Sequence, residues 1–152
     1  MKNWILDLLS CPYCTSELSH DSSSTEKIDD DIIEGLILCS SCDRRFPITN
    51  GIPRFVESDE NYAENFGVQW HKFRLTQIDR FNGTTLTGSM LMSNSHWSPE
   101  FLRGKVILDA GCGAGRFADE LAQNGARVVA CDLSSAVDAC KKTVDDPSGY
   151  SP

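Results

Sequence analysis

Two copies of the motif Cys-x-x-Cys constrain this chain more than any other feature of its 152 residues. They span 11–14 and 39–42, with 24 residues between them. A tight turn within each motif aims two sulfurs at one point about 2.3 Å from an ion, and two such turns complete a tetrahedron. The spacing therefore predicts a closed structural zinc site in a ribbon fold, with the ligands Cys11, Cys14, Cys39 and Cys42.

Three other functions are possible for these residues besides a structural zinc site. They are a catalytic zinc with an open position, a redox role for either motif, and His20 as a further ligand. Four thiolates already close the coordination sphere, and two motifs at ribbon spacing are better explained by one ion. No apolar run is long enough for a membrane span or signal peptide, so the seven cysteines are expected to be reduced, most simply in the cytoplasm.

Residues 1–57 are expected to form the whole ribbon. The segment 35–38 predicts a strand leading into Cys39, and Asn50-Gly51 predicts a tight turn between two short apolar stretches. The segment contains few large apolar side chains, so the metal must supply a large share of its stability, on the order of 10 kcal/mol.

Several short motifs in this segment carry a family resemblance. Leu8-Leu9-Ser10-Cys11-Pro12-x-Cys14, Cys39-x-x-Cys42 and Phe46-Pro47-Ile48-x-x-Gly51-Ile52-Pro53 resemble the zinc-ribbon family whose stand-alone members activate RNA and protein methyltransferases as small partner subunits. Other members of that family are fused to the enzyme. The resemblance implies that a methyltransferase is either the partner of this ribbon or a later part of the same chain.

A second pattern lies near the end of the sequence. Residues 105–110 predict a buried parallel strand that opens into the glycine-rich segment 111–115, and a helix over 116–123 leads to a second strand ending at Asp132. The glycines allow close backbone approach to a ligand, and Asp132 is placed to accept both hydroxyls of a ribose. The pattern predicts a ribonucleoside cofactor. A dinucleotide is disfavoured because Arg116 replaces the last glycine of that fingerprint.

The cofactor class follows from a second resemblance. Asp109-x-Gly111-x-Gly113-x-Gly115 resembles the first motif of class I S-adenosylmethionine-dependent methyltransferases, which implies a Rossmann-like sheet of seven strands. In that family the first acid faces the amino-acid end of the cofactor and Asp132 matches the ribose-binding acid. The cofactor residues implied are Asp109, Gly111, Cys112, Gly113, Gly115 and Asp132. The alternative is a tight turn between strand and helix that binds no ligand.

Residues 58–104 are expected to form a helical cap or linker. Tyr62, Phe66, Trp70 and Phe73 recur at helical spacing, so they predict one buried face, either packed on a neighbouring core or closing over the cofactor as a lid. The segment 65–70 resembles the cap of fused methyltransferases, which adds Gln69 and Trp70 as cofactor candidates. Residues 82–100 are expected to be mostly loop.

The fold class predicted is α/β, with a four-cysteine zinc ribbon followed by an incomplete doubly wound methyltransferase sheet. The domains expected are 1–57, 58–104 and 105–152, the last with a strand-helix-strand-helix order. Only two of the seven strands are expected here, so we expect a truncated methyltransferase with little or no activity of its own. Neither a catalytic residue nor the methyl acceptor can be identified from the sequence.

The alternative function is an interaction or activator module with a vestigial nucleotide half-site. In either case a protein partner, or self-association, is expected to complete the sheet. The net charge of −8, from 22 acidic and 14 basic side chains, argues against nucleic acid as a partner. No membrane association is expected.

Overall fold

The computed structural model describes residues 1–56, 69–70 and 72–146. The chain divides into two compact units, Met1–Asp59 and Glu60–Pro152, and each is described by itself. The boundaries predicted at residues 57 and 104 stay predictions. Within the described residues, no helix combines the length and the apolar character needed to span a bilayer.

The first unit is an antiparallel ribbon organised around one long strand. After a short helix, α1 (Asn3–Leu6), come β1 (Leu18–His20), β2 (Glu26–Ile28), β3 (Asp31–Cys39), β4 (Arg45–Thr49) and β5 (Ile52–Pro53). Strand β3 pairs with β1, β2 and β4, and β4 pairs with β5. The long strand therefore delivers Cys39 from the centre of the sheet.

A small apolar core lies beneath this ribbon. Ile32, Ile37 and Ile48 are almost completely buried, and Phe46 joins them from β4. The alternation of buried and exposed residues along β4 matches the period of two expected for a strand with one solvated face. Such a core is small for independent folding, so a further source of stability is needed.

The predicted tight turn lies between β4 and β5. Asn50 and Gly51 have φ angles of 53° and 74°, and Thr49 pairs with Ile52 on either side of them. Asparagine and glycine tolerate this left-handed backbone better than other residues do, which explains their use here.

The second unit contains a parallel strand pair with helices. Its described elements include α2 (Asp79–Asn82), α3 (Leu86–Ser95), α4 (Pro99–Leu102), β6 (Val106–Ala110), α5 (Arg116–Gln123), β7 (Arg127–Cys131) and α6 (Ala136–Asp145). Strands β6 and β7 run parallel, with Val106 opposite Arg127 and Ala110 opposite Cys131. The mixed α/β class predicted from the sequence is confirmed.

The prediction of loop over residues 82–100 is wrong for the segment that forms α3. This segment is rich in glycine and serine, which favour turns over helices, but tertiary contacts outweigh that preference. The Gly88 N–H donates to the carboxylate of Asp79 at 2.9 Å, and Thr87 Oγ1 donates to the Gln77 carbonyl at 3.1 Å. A side chain at Gly88 would approach a carboxylate oxygen of Glu120 to 2.9 Å, so a glycine lets α3 lie close to α5.

The predicted aromatic face is only partly within the described residues. Tyr62 and Phe66 lie outside them. Trp70 is half-buried, whereas the side chain of Phe73 is 52% exposed, so the prediction of one continuous buried face fails at Phe73.

Candidate functional site

The four cysteines of the paired motifs come together at one end of the ribbon. Their Sγ atoms all lie within 4.8 Å of one another. The Sγ atoms of Cys11 and Cys42 are 3.7 Å apart, and those of Cys14 and Cys39 are 3.4 Å apart. Four thiolates at about 2.3 Å from one ion would be separated by roughly 3.8 Å, so the donor set fits a tetrahedral metal.

Each cysteine motif is followed by a residue with the same left-handed backbone conformation. Thr15 follows Cys14 with a φ of 61°, and Asp43 follows Cys42 with a φ of 55°. A left-handed residue turns the chain sharply after the second cysteine of each pair, and non-glycine residues adopt it at some cost in strain. The two halves of the cluster therefore use one local conformation twice.

Hydrogen bonds favour the thiolate form at two of the cysteines, Cys14 and Cys42. At Cys39 backbone hydrogen bonds from Ser41 and Cys42 lower the pKa, but burial and the neighbouring thiols raise it to about 11. The side chain and backbone of Ser16 lower the pKa of the Cys14 thiol to about 6. The backbone N–H of Arg44 lowers the pKa of Cys42. The Cys11 N–H donates to the Ser16 carbonyl at 2.9 Å, which fixes the first turn. Lowered thiol pKa values reduce the proton release that accompanies metal binding near neutral pH.

The loop between β6 and α5 contains three glycines with positive φ, and each has different surroundings. At Gly111, with a φ of 81°, an added Cβ would meet nothing within 4 Å. At Gly113 it would lie 3.4 Å from the indole of Trp70, and at Gly115 it would lie 2.7 Å from Cys140 Sγ. Gly115 therefore serves the packing of α6 on the loop, whereas Gly111 faces open space that a ligand can approach.

This difference gives a prediction for Gly115→Ala. The new Cβ would collide with the backbone and side chain of Cys140 and would be strained at a φ of 90°. We expect the second unit to lose about 2 kcal/mol or more of unfolding free energy, because overpacking and left-handed strain add. Denaturant unfolding followed by tryptophan fluorescence measures this loss. An unchanged midpoint would contradict the close approach of α6.

Asp132, at the end of β7, is the carboxylate that organises the loop. Its Oδ2 accepts from the Gly113 N–H at 2.9 Å, and its Oδ1 accepts from the Ser134 N–H at 2.9 Å and hydroxyl at 2.7 Å. Burial alone would raise its pKa, but the hydrogen bonds from Ser134 and Gly113 lower it below the usual range. Asp132 is therefore ionised at neutral pH.

The pKa of Asp109, on β6, is shifted in the opposite direction from that of Asp132. Burial raises its pKa despite a hydrogen bond from the Ala118 backbone, and the charge of Asp132 raises it further. Within the described residues its Oδ2 is buried without a hydrogen-bond partner. A buried orphan oxygen of this kind is rare in folded proteins, and a cationic or hydrogen-donating ligand would satisfy it.

The remaining sequence candidates differ in where their side chains lie. Trp70 is beside the loop through its contact with Gly113, whereas Gln69 is exposed. Cys112 is buried in a cluster with Ala118 and Cys140, so only its backbone is available to a ligand.

Sequence reasoning missed two residues that shape this loop. Ser134 supports Asp132, and the Asp-x-Ser pattern is a local signal that could have revealed it. Arg80, which binds the buried Asp119 of α5, is 39 positions away in sequence, and no local signal marks that pair.

Comparison with known proteins finds one family for the cysteine ribbon and another for the segment with the glycine loop. Residues 3–51 match the family model described as Trm112p-like protein, and residues 107–148 match the model described as methyltransferase domain. A UPF0434 protein of Methylibium petroleiphilum is 37% identical over 59 residues, which make up 39% of this chain and 75% of that protein.

A solved structure is also similar to part of the chain. It is the complex between the Haloferax volcanii Trm112 methyltransferase activator and a candidate methyltransferase. The matching chain has 33% sequence identity, and the match covers 40% of this chain and 100% of that one, with a TM-score of 0.35. A TM-score of 0.35 is too low to establish a shared fold.

Proposed function

Because the chain belongs to the Trm112p-like family through its ribbon and carries a class I methyltransferase domain after it, we propose that it binds S-adenosylmethionine and serves methyl transfer. The arrangement of Gly111, Asp109 and Asp132 carries this proposal. An open glycine, an orphaned carboxylate oxygen and an ionised carboxylate lie around one loop.

Each of these residues has a role suited to one part of that cofactor. Asp132 would accept hydrogen bonds from the ribose hydroxyls, and Asp109 would face the ammonium of the amino-acid end. Gly111 and Gly113 would let the backbone approach the ligand, with Trp70 beside them as an apolar wall. When bound, the cofactor supplies a methyl group activated by its sulfonium. The chain's own residues would bind and orient it.

The ribbon is proposed to hold one structural zinc ion through Cys11, Cys14, Cys39 and Cys42. The spacing of their sulfurs supports this. A closed four-thiolate site has no position for water or substrate, so the ion would stabilise the ribbon only. Unpaired cysteines persist chiefly in reducing compartments, which supports the proposed cytoplasmic location.

One comparison tests the cofactor proposal with matched variants. Gly111 and Gly104 both have left-handed φ angles, 81° and 72°, and both are open to an added Cβ. Alanine costs about 1–2 kcal/mol of strain at either position, so stability should fall equally in the two variants. We expect Gly111→Ala to weaken S-adenosylmethionine binding more than about tenfold and Gly104→Ala to leave it unchanged.

Isothermal titration of each variant with S-adenosylmethionine and with NAD measures the difference. Wild-type protein that binds NAD and not S-adenosylmethionine would overturn the proposed cofactor. Equal affinities for S-adenosylmethionine in the two variants would remove Gly111 from the site.

An interaction module is the second candidate function, and the surface of β6 favours it. Leu108 is 64% exposed and Val106 is 41% exposed on one face of this strand. Parallel strands are normally covered on both faces, so a protein partner or a second copy of the chain is proposed to complete the sheet. Such a module needs no cofactor, so the titration above also separates the two functions.

A further inference from the structure

Arg80 lies in α2 and contacts both helices that flank the glycine loop. Its Nε donates to the two carboxylate oxygens of Asp119 on α5, at 2.9 and 3.0 Å. Its Nη1 donates to the carbonyl of Asp146 and its Nη2 to the carbonyl of Thr143, each at 2.8 Å. One guanidinium thus joins α5 to the end of α6.

These contacts satisfy groups that would otherwise be costly to bury. Asp119 is only 1% exposed, and a buried carboxylate without a cation is strongly unfavourable. The last carbonyls of a helix have no partner within the helix, and a cation at that end is favourable. The planar guanidinium spreads its donors over three nitrogens, so it can serve a carboxylate and two separate carbonyls at once, whereas the donors of a lysine all radiate from a single nitrogen.

Both helices that Arg80 contacts also contact the glycine loop. Helix α5 begins directly after Gly115, and the Asp119 N–H donates to the Gly115 carbonyl at 2.8 Å. Helix α6 places Cys140 so close to Gly115 that no Cβ fits between them. Thr143 is one turn beyond Cys140, so moving the end of α6 would move this contact too.

We propose that Arg80 is a positioning residue for the cofactor loop. It holds α5 and α6 in the arrangement in which the loop backbone can bind the cofactor. It acts through Asp119 and the carbonyls at the end of α6, without touching the cofactor itself. This proposal rests on the proposed function. It also assigns a role in cofactor binding to α2, which precedes the parallel sheet.

The test is S-adenosylmethionine titration of Arg80→Ala in the full chain. We expect the dissociation constant to rise about tenfold or more, because Asp119 loses its cation and α5 shifts. Millimolar methylguanidinium should fill the vacated position and restore the affinity to within about threefold of wild type.

Arg74→Ala is the matched control. Arg74 also contacts the end of α6, but only through longer contacts of 3.4 Å to Asp146 and 3.5 Å to the Lys142 carbonyl. We expect it to change the affinity less than about threefold, since long contacts contribute little. A greater loss in Arg74→Ala than in Arg80→Ala would overturn the proposal.

Asp119→Asn is the milder variant if Arg80→Ala fails to fold. It keeps the volume and loses the charge, so affinity should fall without rescue by methylguanidinium, whose position Arg80 still fills. Wild-type affinity in either variant, or an Arg80→Ala loss that methylguanidinium does not reverse, would overturn the positioning role. Failure of the wild-type chain to bind S-adenosylmethionine would instead overturn the proposed function, and this proposal with it.

Discussion

Cys39→Ala is expected to release the metal and unfold the ribbon. Cys39 is buried at the end of the central strand, and its sulfur lies 3.4 Å from that of Cys14. Binding of a structural zinc contributes apparent free energies on the order of 10 kcal/mol at neutral pH, which exceeds what this small apolar core can replace. Elemental analysis should find one zinc per wild-type chain and none in the variant, and dispersed amide resonances of residues 1–56 should collapse.

Cys131→Ala is the control for this experiment. Cys131 is also a strand-terminal cysteine, but it is exposed and lies outside the cluster. It should keep both the metal and the ribbon. Iron also accepts four thiolates, so the elemental analysis must separate the two metals. A wild-type ribbon that stays folded after complete removal of metal would contradict the expected dependence.

Asp132→Ala should produce the largest loss of cofactor affinity. The carboxylate fixes Gly113 and Ser134 by hydrogen bonds of 2.7–2.9 Å and is proposed to accept both ribose hydroxyls. Hydrogen bonds to a charged group are worth about 1.5–3 kcal/mol each, so losing two of them should raise the dissociation constant of S-adenosylmethionine at least about a hundredfold. Isothermal titration measures the change, and thermal unfolding verifies that the protein remains folded.

Two further variants complete this experiment, one that removes only the charge of Asp132 and one that serves as a control. Asp132→Asn keeps one acceptor oxygen, so its loss should be smaller, roughly tenfold. Asp145→Ala removes an exposed carboxylate near the end of α6 that pairs with Lys141, and it should leave the affinity unchanged. If Asp132→Ala and Asp145→Ala behave alike, Asp132 does not bind the ribose.

The four-cysteine cluster and the strand-helix-strand unit could be predicted from the sequence because the patterns that indicate them are local. The cysteines pair within four residues, and the glycines stand directly between a strand and a helix. Even the predicted end of α5 agrees with its observed last residue, Gln123. Patterns of this kind depend on backbone geometry more than on neighbours elsewhere in the chain.

Helix α3 and the contacts of Arg80 with α5 and α6 could not be predicted from the sequence in the same way. The first is held by a hydrogen bond to Asp79 and the second by Asp119, and both partners are brought near by folding. Tertiary contacts override weak local preferences, so glycine and serine in 88–95 misled the prediction. The different roles of Gly111 and Gly115 were also hidden, because both look identical in a motif.

Because both cysteine motifs form by the same local turn, the number of residues between them can vary. Each half of the cluster forms within five consecutive residues, so the proposed ion would act as a cross-link that closes the intervening 24 residues. The entropic cost of closing a flexible loop grows only logarithmically, and doubling its length costs about 0.6 kcal/mol. Insertions at the exposed Asp29-Asp30 turn should therefore be tolerated, and this ribbon could carry extra segments there without losing its metal.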